Sequence, residues 1–482
     1  MRERPLETWR RTLLDSFDWR LIGAGKLWYA KARTGVLTWE PKGARRSRRQ
    51  SVESVPAFRR DLPEGEVWKT VGEALGIRRL LARLELVEKR RRLDLLDAEE
   101  KVVARLAIVQ ASAQDPDTGR AVGVAPWVEV ESLRGYPDGD RATELLIEEL
   151  DLEQLDADGF EQGLKALGLK AGVDPSKPTA ELEPDDDARH ATTDALIDLF
   201  GILRANEPGT RADLDIEFLH DFRVALRRTR SVLSDFGPLF VPEALERWKE
   251  ELRWLGGVTG PTRDLDVLLH NWSSLVGDLD ADTRERLEPL YTVAKARREA
   301  AFVELRRALD SDRYARIVDG WPRFLAALKE TPPTAGELEE VVGRRLWRRF
   351  KRVRKAGSAL VPDSPAEDFH RVRIHGKKLR YILEVYKSLW GASEVKSAVK
   401  ALKRFQDHLG DFNDAEVHAG LVRELAENSR LEPRVVLAAG ELIELLRRRA
   451  DDERQRFFEF FGSFVADENR TRYRRLSGKG KV

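Results

Sequence analysis

The stretch FHRVRIHGKKLRYILEVY (residues 369–386) decides the fold, because LHDFRVALRRTRSVLSDF (residues 219–236) repeats its pattern with every residue number lower by 150. At 3.6 residues per turn, positions i, i+3, i+7 and i+10 share one narrow stripe of a helix. In both copies that stripe carries a histidine followed by cations: His220, Arg223, Arg227 and Arg230, then His370, Arg373, Lys377 and Arg380. Apolar residues fill the neighbouring arc, so each copy predicts a helix with one face for a core and one for an anion.

The match continues beyond these two helices at the same offset. A second cation adjoins each stripe, as Arg228 and Lys378, and further along the chain Arg253 matches Lys403. The chain therefore contains an internal duplication. Unpaired charges are costly in a protein interior, so the stripes need water or a polyanion. If the halves pack about a pseudo-twofold axis with their apolar faces inward, the stripes converge on a shared groove or pore.

A solvated helix face is the ordinary alternative for a run of arginines and lysines. Duplication at the same phase argues against it, because drift should scramble a face that has no role. The two histidines can also be interpreted as helix-start residues bonded to the backbone, which does not exclude contact with a ligand. A further tract, GRRLWRRFKRVRK (residues 343–355), places Arg345, Arg348 and Arg352 on another stripe. The corresponding first-half segment has few charges, so we interpret this tract as a weaker extension of the site.

Two acidic pairs follow glycine-containing turns at matching positions, Asp264 with Asp266 and Asp414 with Glu416. Carboxylates suit helix starts, where they bond exposed N–H groups and favour the helix dipole. We therefore interpret these residues as caps, or as partners of the basic stripes, rather than as metal ligands or an acid–base pair. No Ser-His-Asp order, Walker loop or histidine-rich metal spacing occurs in this region, so we assign no catalytic residue.

The paired H-x-x-R-x-x-x-[RK]-[RK]-x-R stretches, together with RDLDV (residues 263–267) and LGDFNDAEV (residues 409–417), resemble the CHAD family, the conserved-histidine α-helical domains. The resemblance extends over residues 185–464. It implies a helical domain of two four-helix halves that binds inorganic polyphosphate in a central basic pore, and some members associate with polyphosphate granules. Reasoning from the residues themselves predicts a polyanion groove but leaves the anion open.

The amino-terminal part alternates in short segments that predict antiparallel hairpins. Segments at residues 13–33, 89–106 and 127–136 resemble the CYTH family, whose triphosphate tunnel often precedes a CHAD domain. The resemblance implies phosphate-facing basic residues and two metal carboxylates, namely Lys31, Arg33, Lys89, Arg91 and Arg105, with Glu129 and Glu131 as the carboxylates. The opening E-x-E-x-K strand of that family is missing, since residues 1–9 offer only Glu3 and Glu7 at the wrong spacing. This departure argues against triphosphatase activity.

Bulk composition limits the possible partners. The 482 residues carry a net charge of only +1, so attraction of a polyanion must come from local basic surfaces. The absence of cysteine excludes disulfides, thiolate metal sites and cysteine nucleophiles. The first 25 residues lack the apolar segment of a signal peptide, and no apolar run reaches the ~18 residues of a membrane span. We expect a cytoplasmic protein without a membrane partner.

These patterns predict an α+β protein with an incomplete CYTH-like antiparallel β tunnel at residues 1–168, a linker at 169–187 and an all-α CHAD domain at 188–464. Two pseudo-symmetric four-helix bundles, at 188–310 and 337–464, are expected before a frayed basic tail at 465–482. The expected function is binding of inorganic polyphosphate, with location on polyphosphate granules. Metal-dependent triphosphate or polyphosphate hydrolysis by the first domain, and nucleic-acid binding, are the alternatives. Binding needs no cofactor, Mg²⁺ or Mn²⁺ is expected only if the first domain is active, and the oligomeric state stays open.

Overall fold

The computed structural model describes residues 1–31, 35–43, 46–133, 137–333 and 336–479. The chain separates into two compact units, Met1–Pro175 and Ser176–Val482. The division falls inside the predicted linker. The prediction of an antiparallel β unit followed by a helical unit is confirmed.

Alternating apolar residues build an eight-stranded antiparallel sheet in the first unit. The strands are β1 (Arg2–Glu3), β2 (Glu7–Asp15), β3 (Gly25–Lys31), β4 (Gly35–Pro41), β5 (Arg48–Val52), β6 (Leu81–Leu96), β7 (Val102–Gln114) and β8 (Ala121–Ser132). Their order is β5-β4-β3-β2-β6-β7-β8, and β1 pairs with β6. Among the described residues β5 and β8 do not pair with each other, so the sheet is open and the predicted tunnel is not closed.

Helices cover part of each sheet face. They are α1 (Glu66–Leu75), α2 (Pro137–Glu149) and α3 (Gly159–Leu167). Leu14 and Trp39 pack with α1 on one face. Leu13 and Leu86 pack with α3 on the other, because neighbouring residues of a strand point to opposite sides.

The first long strand of the chain is β2, which lies between β3 and β6. Glu7, Trp9 and Arg11 point to the same face of this strand. The strand therefore reads E-x-W-x-R, with tryptophan in place of the second carboxylate. The E-x-E-x-K strand is therefore missing, as predicted: Glu3 belongs to β1, and Pro5 separates β1 from β2. The departure from the acidic motif remains.

The second unit consists of helices whose bounds repeat at the offset of the duplication. They are α4 (Ala188–Arg211), α5 (Ile216–Asp235), α6 (Pro242–Val258), α7 (Gly260–Leu275), α8 (Ala281–Arg286), α9 (Glu288–Leu309), α10 (Asp312–Lys329), α11 (Leu338–Ser358), α12 (Ala366–Val385), α13 (Ala392–Glu427), α14 (Pro433–Val465) and α15 (Asp467–Leu476). Helices α5 and α12 begin and end 150 residues apart, α4 corresponds to α11, and α9 corresponds to α14. None of the described helices combines the length and the apolarity that a bilayer span requires.

Helices α6 and α7 together correspond to the single long helix α13. Pro261 lies in the first turn of α7, where its missing N–H group interrupts the helical hydrogen bonds; α13 has Asp411 at the equivalent position and continues. Asp414 is therefore in the middle of a helix, and Asp264 lies four residues after the start of α7. The prediction that these carboxylates cap helix starts is wrong.

The basic end of the chain forms helix α15 instead of the predicted frayed tail. The buried ring of Tyr473 stacks on Phe350 of α11 with 4.4 Å between centroids. Trp390 Nε1 donates a hydrogen bond to the carbonyl of Leu476 at 2.8 Å. Helix α15 packs on α11 as α10 packs on α4, so this segment completes the second half of the duplication. Two apolar anchors, Tyr473 and Leu476, hold an otherwise polar helix in place.

Two residues related by the duplication meet where the halves join. The rings of Phe236 and Tyr386 are both fully buried, and their centroids lie 5.0 Å apart. An approximate twofold axis therefore passes between the carboxyl ends of α5 and α12. The two basic stripes are related by this axis.

Candidate anion-binding site

The basic stripes of α5 and α12 meet at a cavity of about 590 Å³ that also borders α6. Six cations and one carboxylate of the described chain line it: Arg227, Arg230, Lys249, Arg253, Lys377 and Lys378, with Glu246. Ser231, Ser234, Ile374 and Tyr381 complete the lining. We call this space the central cavity. It receives cations from both halves of the duplication.

Lys377 lies among the positive charges of both stripes. Burial, together with the charges of Arg373, Arg227 and Arg380, lowers the pKa of Lys377 to about 7. Arg227 belongs to the first stripe, so the two stripes act on each other electrostatically. The ammonium form of Lys377 is therefore destabilised in the free protein, and a bound anion would favour it.

The first arginine of each stripe is held by groups of the protein. Arg223 Nη1 donates hydrogen bonds to the carbonyl of Gly256 at 3.0 Å and to the hydroxyl of Thr259 at 2.8 Å. Burial is the main reason that the pKa of Arg223 falls to about 10. Arg373 Nη2 lies 3.7 Å from an oxygen of Asp414. These two arginines therefore have protein partners.

Two aspartates make this end of the stripes acidic. Burial, and then the negative charge of Asp414, raise the pKa of Asp264, while the nearby Arg223 acts in the opposite direction. A polyanion would be repelled by such a pair of carboxylates. The part of the stripes that can accept an anion therefore begins at Arg227 and Lys377.

The two sides of the approximate axis differ in charge. Glu384 forms ion pairs with Arg228 at 2.8 Å and with Arg380 at 3.3 Å. The residue equivalent to Glu384 in the first half is Ser234, which lines the central cavity beside Lys378. Glutamate thus neutralises cations on one side, whereas serine leaves the other side positive.

The remaining stripe residues lie outside the lining of the central cavity. His370 is exposed, and its Nδ1 lies 3.0 Å from Asn413 Oδ1. His220 is half-buried. Arg253 lines the cavity from α6, but its equivalent Lys403 is exposed on α13 and does not contribute to the lining.

The basic tract of α11 lies beside the carboxyl end of α5. Its residues surround a smaller cavity of about 130 Å³, lined by Ser234, Asp235, Arg345, Arg348, Arg349 and Arg352. Arg349 Nε donates a hydrogen bond to Asp235 at 2.6 Å, and both side chains are almost fully buried. We call this space the α11 cavity.

The candidate metal carboxylates have arginine or tryptophan partners. The contacts are Glu129 with Arg90 and with Trp127 Nε1 at 3.1 Å, Glu131 with Arg105 at 3.6 Å, and Asp266 with Arg298 at 2.7 Å. Within the described ranges no group of three or more histidine, aspartate or glutamate residues could hold a metal ion. The surroundings of Glu129 and Glu131 therefore do not fit a divalent cation. The predicted pairing of acidic residues with a stripe is confirmed for Asp414.

The basic residues that the CYTH resemblance assigns to phosphate are dispersed. Lys89 and Arg91 are exposed on β6, on the face opposite to buried Glu88 and Arg90. Arg90 donates a hydrogen bond to Glu88 at 2.8 Å, so the buried positive charge has an internal partner. Arg105 pairs with Glu131. The side chain of Lys31, and Arg33, lie outside the described residues.

Sequence reasoning missed several residues of these cavities. Lys249 precedes Arg253 by one helical turn, and the i, i+4 spacing was the available signal. Ser231 and Ser234 follow the stripe of α5 with similar spacing. The ion pair between Asp235 and Arg349 gave no such signal, because its partners are 114 residues apart and occupy non-equivalent positions of the duplication.

Comparison with known proteins agrees with this architecture. The family model of the CHAD domain matches residues 194–423. Two uncharacterized proteins, from two strains of Mycobacterium tuberculosis, are each 29% identical over 306 residues, which cover 60% of this chain and 56% of theirs. The chain thus spans little more than half the length of these relatives.

A solved structure has a similar helical unit. The crystal structure of the CHAD domain from the plant Ricinus communis is 28% identical, has a TM-score of 0.52, and is matched over 60% of this chain and 96% of its own length. The family match covers α5 and α12, which carry the basic stripes. The helical unit of this chain therefore matches the CHAD domain family over residues 194–423.

Proposed function

We propose that the protein binds inorganic polyphosphate in the central cavity between α5 and α12. The observation that carries the proposal is the convergence of six cations from both halves around a space with one carboxylate in its described lining. Glu246 pairs with Lys249 at 2.8 Å, so the cluster keeps five cations that form no ion pair with a carboxylate of the described lining. A ligand that supplies several negative charges over a short distance would satisfy it.

A phosphate polymer suits this lining better than one small anion. Arginine offers forked donors that match phosphate oxygens, whereas lysine supplies a mobile point charge. Arg227 and Arg230 face the cavity from α5, and Lys377 and Lys378 face it from α12. A linear phosphate polymer can contact the cations of both helices at once. The CHAD resemblance implies the same ligand, and association with polyphosphate granules in the cytoplasm belongs to the same proposal.

Titration with long-chain polyphosphate at several salt concentrations tests this function. With about four cation–phosphate contacts and the slope of about 0.7 per contact of a single-stranded polyanion, affinity should fall about 50-fold between about 50 and about 200 mM salt, because each contact releases a counterion. Fluorescence anisotropy of labelled polyphosphate would measure the slope. Absence of binding at low salt, or an affinity that does not change with salt, would overturn the proposal.

The two alternatives make different predictions in the same assay. Duplex DNA or RNA at equal phosphate concentration should displace polyphosphate if nucleic acid is the ligand. A hydrolase should release phosphate with Mg²⁺ or Mn²⁺ and lose this activity in Glu129→Ala. The arginine and tryptophan partners of Glu129 favour binding over hydrolysis.

Affinity for polyphosphate should fall as pH rises from about 7 to about 9. Free Lys377 has a pKa of about 7, and a bound polyanion raises it, so binding takes up a proton above that pH. If bound Lys377 stays protonated, linkage gives an affinity about 50-fold weaker at the upper pH. Calorimetric titration in buffers of different ionisation enthalpy measures the proton uptake.

Lys377→Arg is the matched control for the pH experiment. Arginine keeps its charge throughout this range, so the variant should bind with a nearly constant affinity. The same pH dependence in both proteins would show that another group, such as the ligand itself, takes up the proton.

A further inference from the structure

The α11 cavity adjoins the central cavity. Ser234 lines both spaces. Lys378 lines the central cavity, and its pKa is lowered first by burial and then by the positive charges of Arg349 and Arg352 in the α11 cavity, while Asp235 acts in the opposite direction. The positive charge is therefore continuous from α12 to α11.

The α11 cavity keeps an excess of positive charge. The carboxylate of Asp235 is paired with Arg349, and both are nearly fully buried. Within the described residues no carboxylate forms an ion pair with Arg345, Arg348 or Arg352. The buried pair holds the floor of the cavity, while these three arginines are left for a ligand.

The first half of the duplication lacks this arrangement. The residues equivalent to Arg345, Arg348 and Arg352 are Ala195, Asp198 and Ile202. The positions equivalent to Arg349 and Asp235 hold Leu199 and Val385, which are buried in the apolar core. An arginine cluster with its own supporting ion pair has thus been built on one side alone.

We propose that the α11 cavity is a second anion subsite, which takes the continuation of a polyphosphate chain seated in the central cavity and makes affinity depend on chain length. This inference rests on the proposed function. Arg345 and Arg352 are seven residues apart, which is about 10 Å along the helix. A short phosphate chain fills the central cavity alone, whereas a long chain reaches both spaces.

The experiment compares tripolyphosphate with long-chain polyphosphate in the triple variant Arg345→Ala, Arg348→Ala, Arg352→Ala of the full chain. Long-chain affinity should fall by at least about 10-fold, because three phosphate contacts are lost. Tripolyphosphate affinity should change by less than about twofold. Far-UV circular dichroism checks that the helices remain.

The matched control removes three exposed arginines elsewhere, as Arg306→Ala, Arg316→Ala and Arg323→Ala of α9 and α10. It should bind both ligands as the unmodified protein does.

Two outcomes would overturn the second subsite and leave the central cavity intact. One is an equal loss of affinity for both ligands in the α11 variant, and the other is an equal loss of long-chain affinity in the control. Failure of the unmodified protein to bind either ligand would overturn the proposed function as well. If the alanine variant unfolds, the double variant Arg348→Gln, Arg352→Gln is used in its place. It should also lose affinity for the long chain and keep its affinity for tripolyphosphate, with a smaller loss than the triple variant.

Discussion

Replacement of both Arg227 and Lys377 by alanine is expected to weaken binding of long-chain polyphosphate more than about 100-fold, since each charged hydrogen bond contributes about 1.5–3 kcal/mol. Both residues line the central cavity, and they come from opposite halves of the duplication. The charge of Arg227 lowers the pKa of Lys377, so the two side chains act on the same space. Anisotropy titration at low salt measures the loss.

A control for this pair removes the same charge at a distance. Arg316 and Arg323 are exposed on α10, and their replacement by alanine should change the affinity by less than about threefold. The folding of the cavity variant should not suffer, because loss of a buried cation among arginines relieves repulsion. Unchanged affinity in the cavity variant would place the ligand elsewhere.

Asp235→Val should lower the free energy of unfolding of the helical unit by about 3–5 kcal/mol, because it leaves the charge of Arg349 buried without its partner. Both side chains are nearly inaccessible to solvent, at 6% and 5% exposure. Urea unfolding followed by the helical circular dichroism signal measures the change.

The duplication supplies a matched control for that variant. Leu199 and Val385 occupy the equivalent positions and pack in the apolar core. The double variant Asp235→Val, Arg349→Leu copies them, and it should recover stability to within about 1 kcal/mol of the unmodified protein. Equal destabilisation of the single and double variants would contradict this explanation, because removal of the unpaired charge of Arg349 would then recover no stability.

The pH dependence of stability should follow from Lys377. Its folded pKa of about 7 lies below the ordinary value of 10.5, so the folded state binds fewer protons than the unfolded state between these values. Stability therefore rises with pH across this window, and the penalty is fully present below it. The cluster that attracts an anion thus weakens the free fold near neutral pH.

The features that both copies of the duplication share could be predicted from the sequence, whereas the effects of residues that differ between the copies could not. Two copies of one stripe at the same phase predict paired basic helices, and the structure places Arg227 and Lys377 in one cavity. Glu384 in place of Ser234 changes which cations are neutralised, although the motif is the same in both copies. Such partners depend on packing, which the stripe alone does not encode.

Two local features also escaped the sequence analysis for physical reasons. A polar helix is held by two apolar side chains, so α15 resembles a frayed tail until Tyr473 is seen against Phe350. One proline separates α6 from α7, whereas α13 runs through the equivalent position. In each case one or two residues decide the outcome, and periodicity over a longer window averages their effect away.

The contact between Phe236 and Tyr386 has a consequence for how this protein can vary. In a dimer of identical chains every substitution occurs on both sides of the twofold axis. Here the halves share one chain, so Ser234 and Glu384 could become different while the rings between them still pack. A phosphate polymer has two identical ends, but it would meet a protein whose two halves differ in charge. Because the halves are covalently linked, the binding site can differ between its two ends, although the polymer itself has no direction.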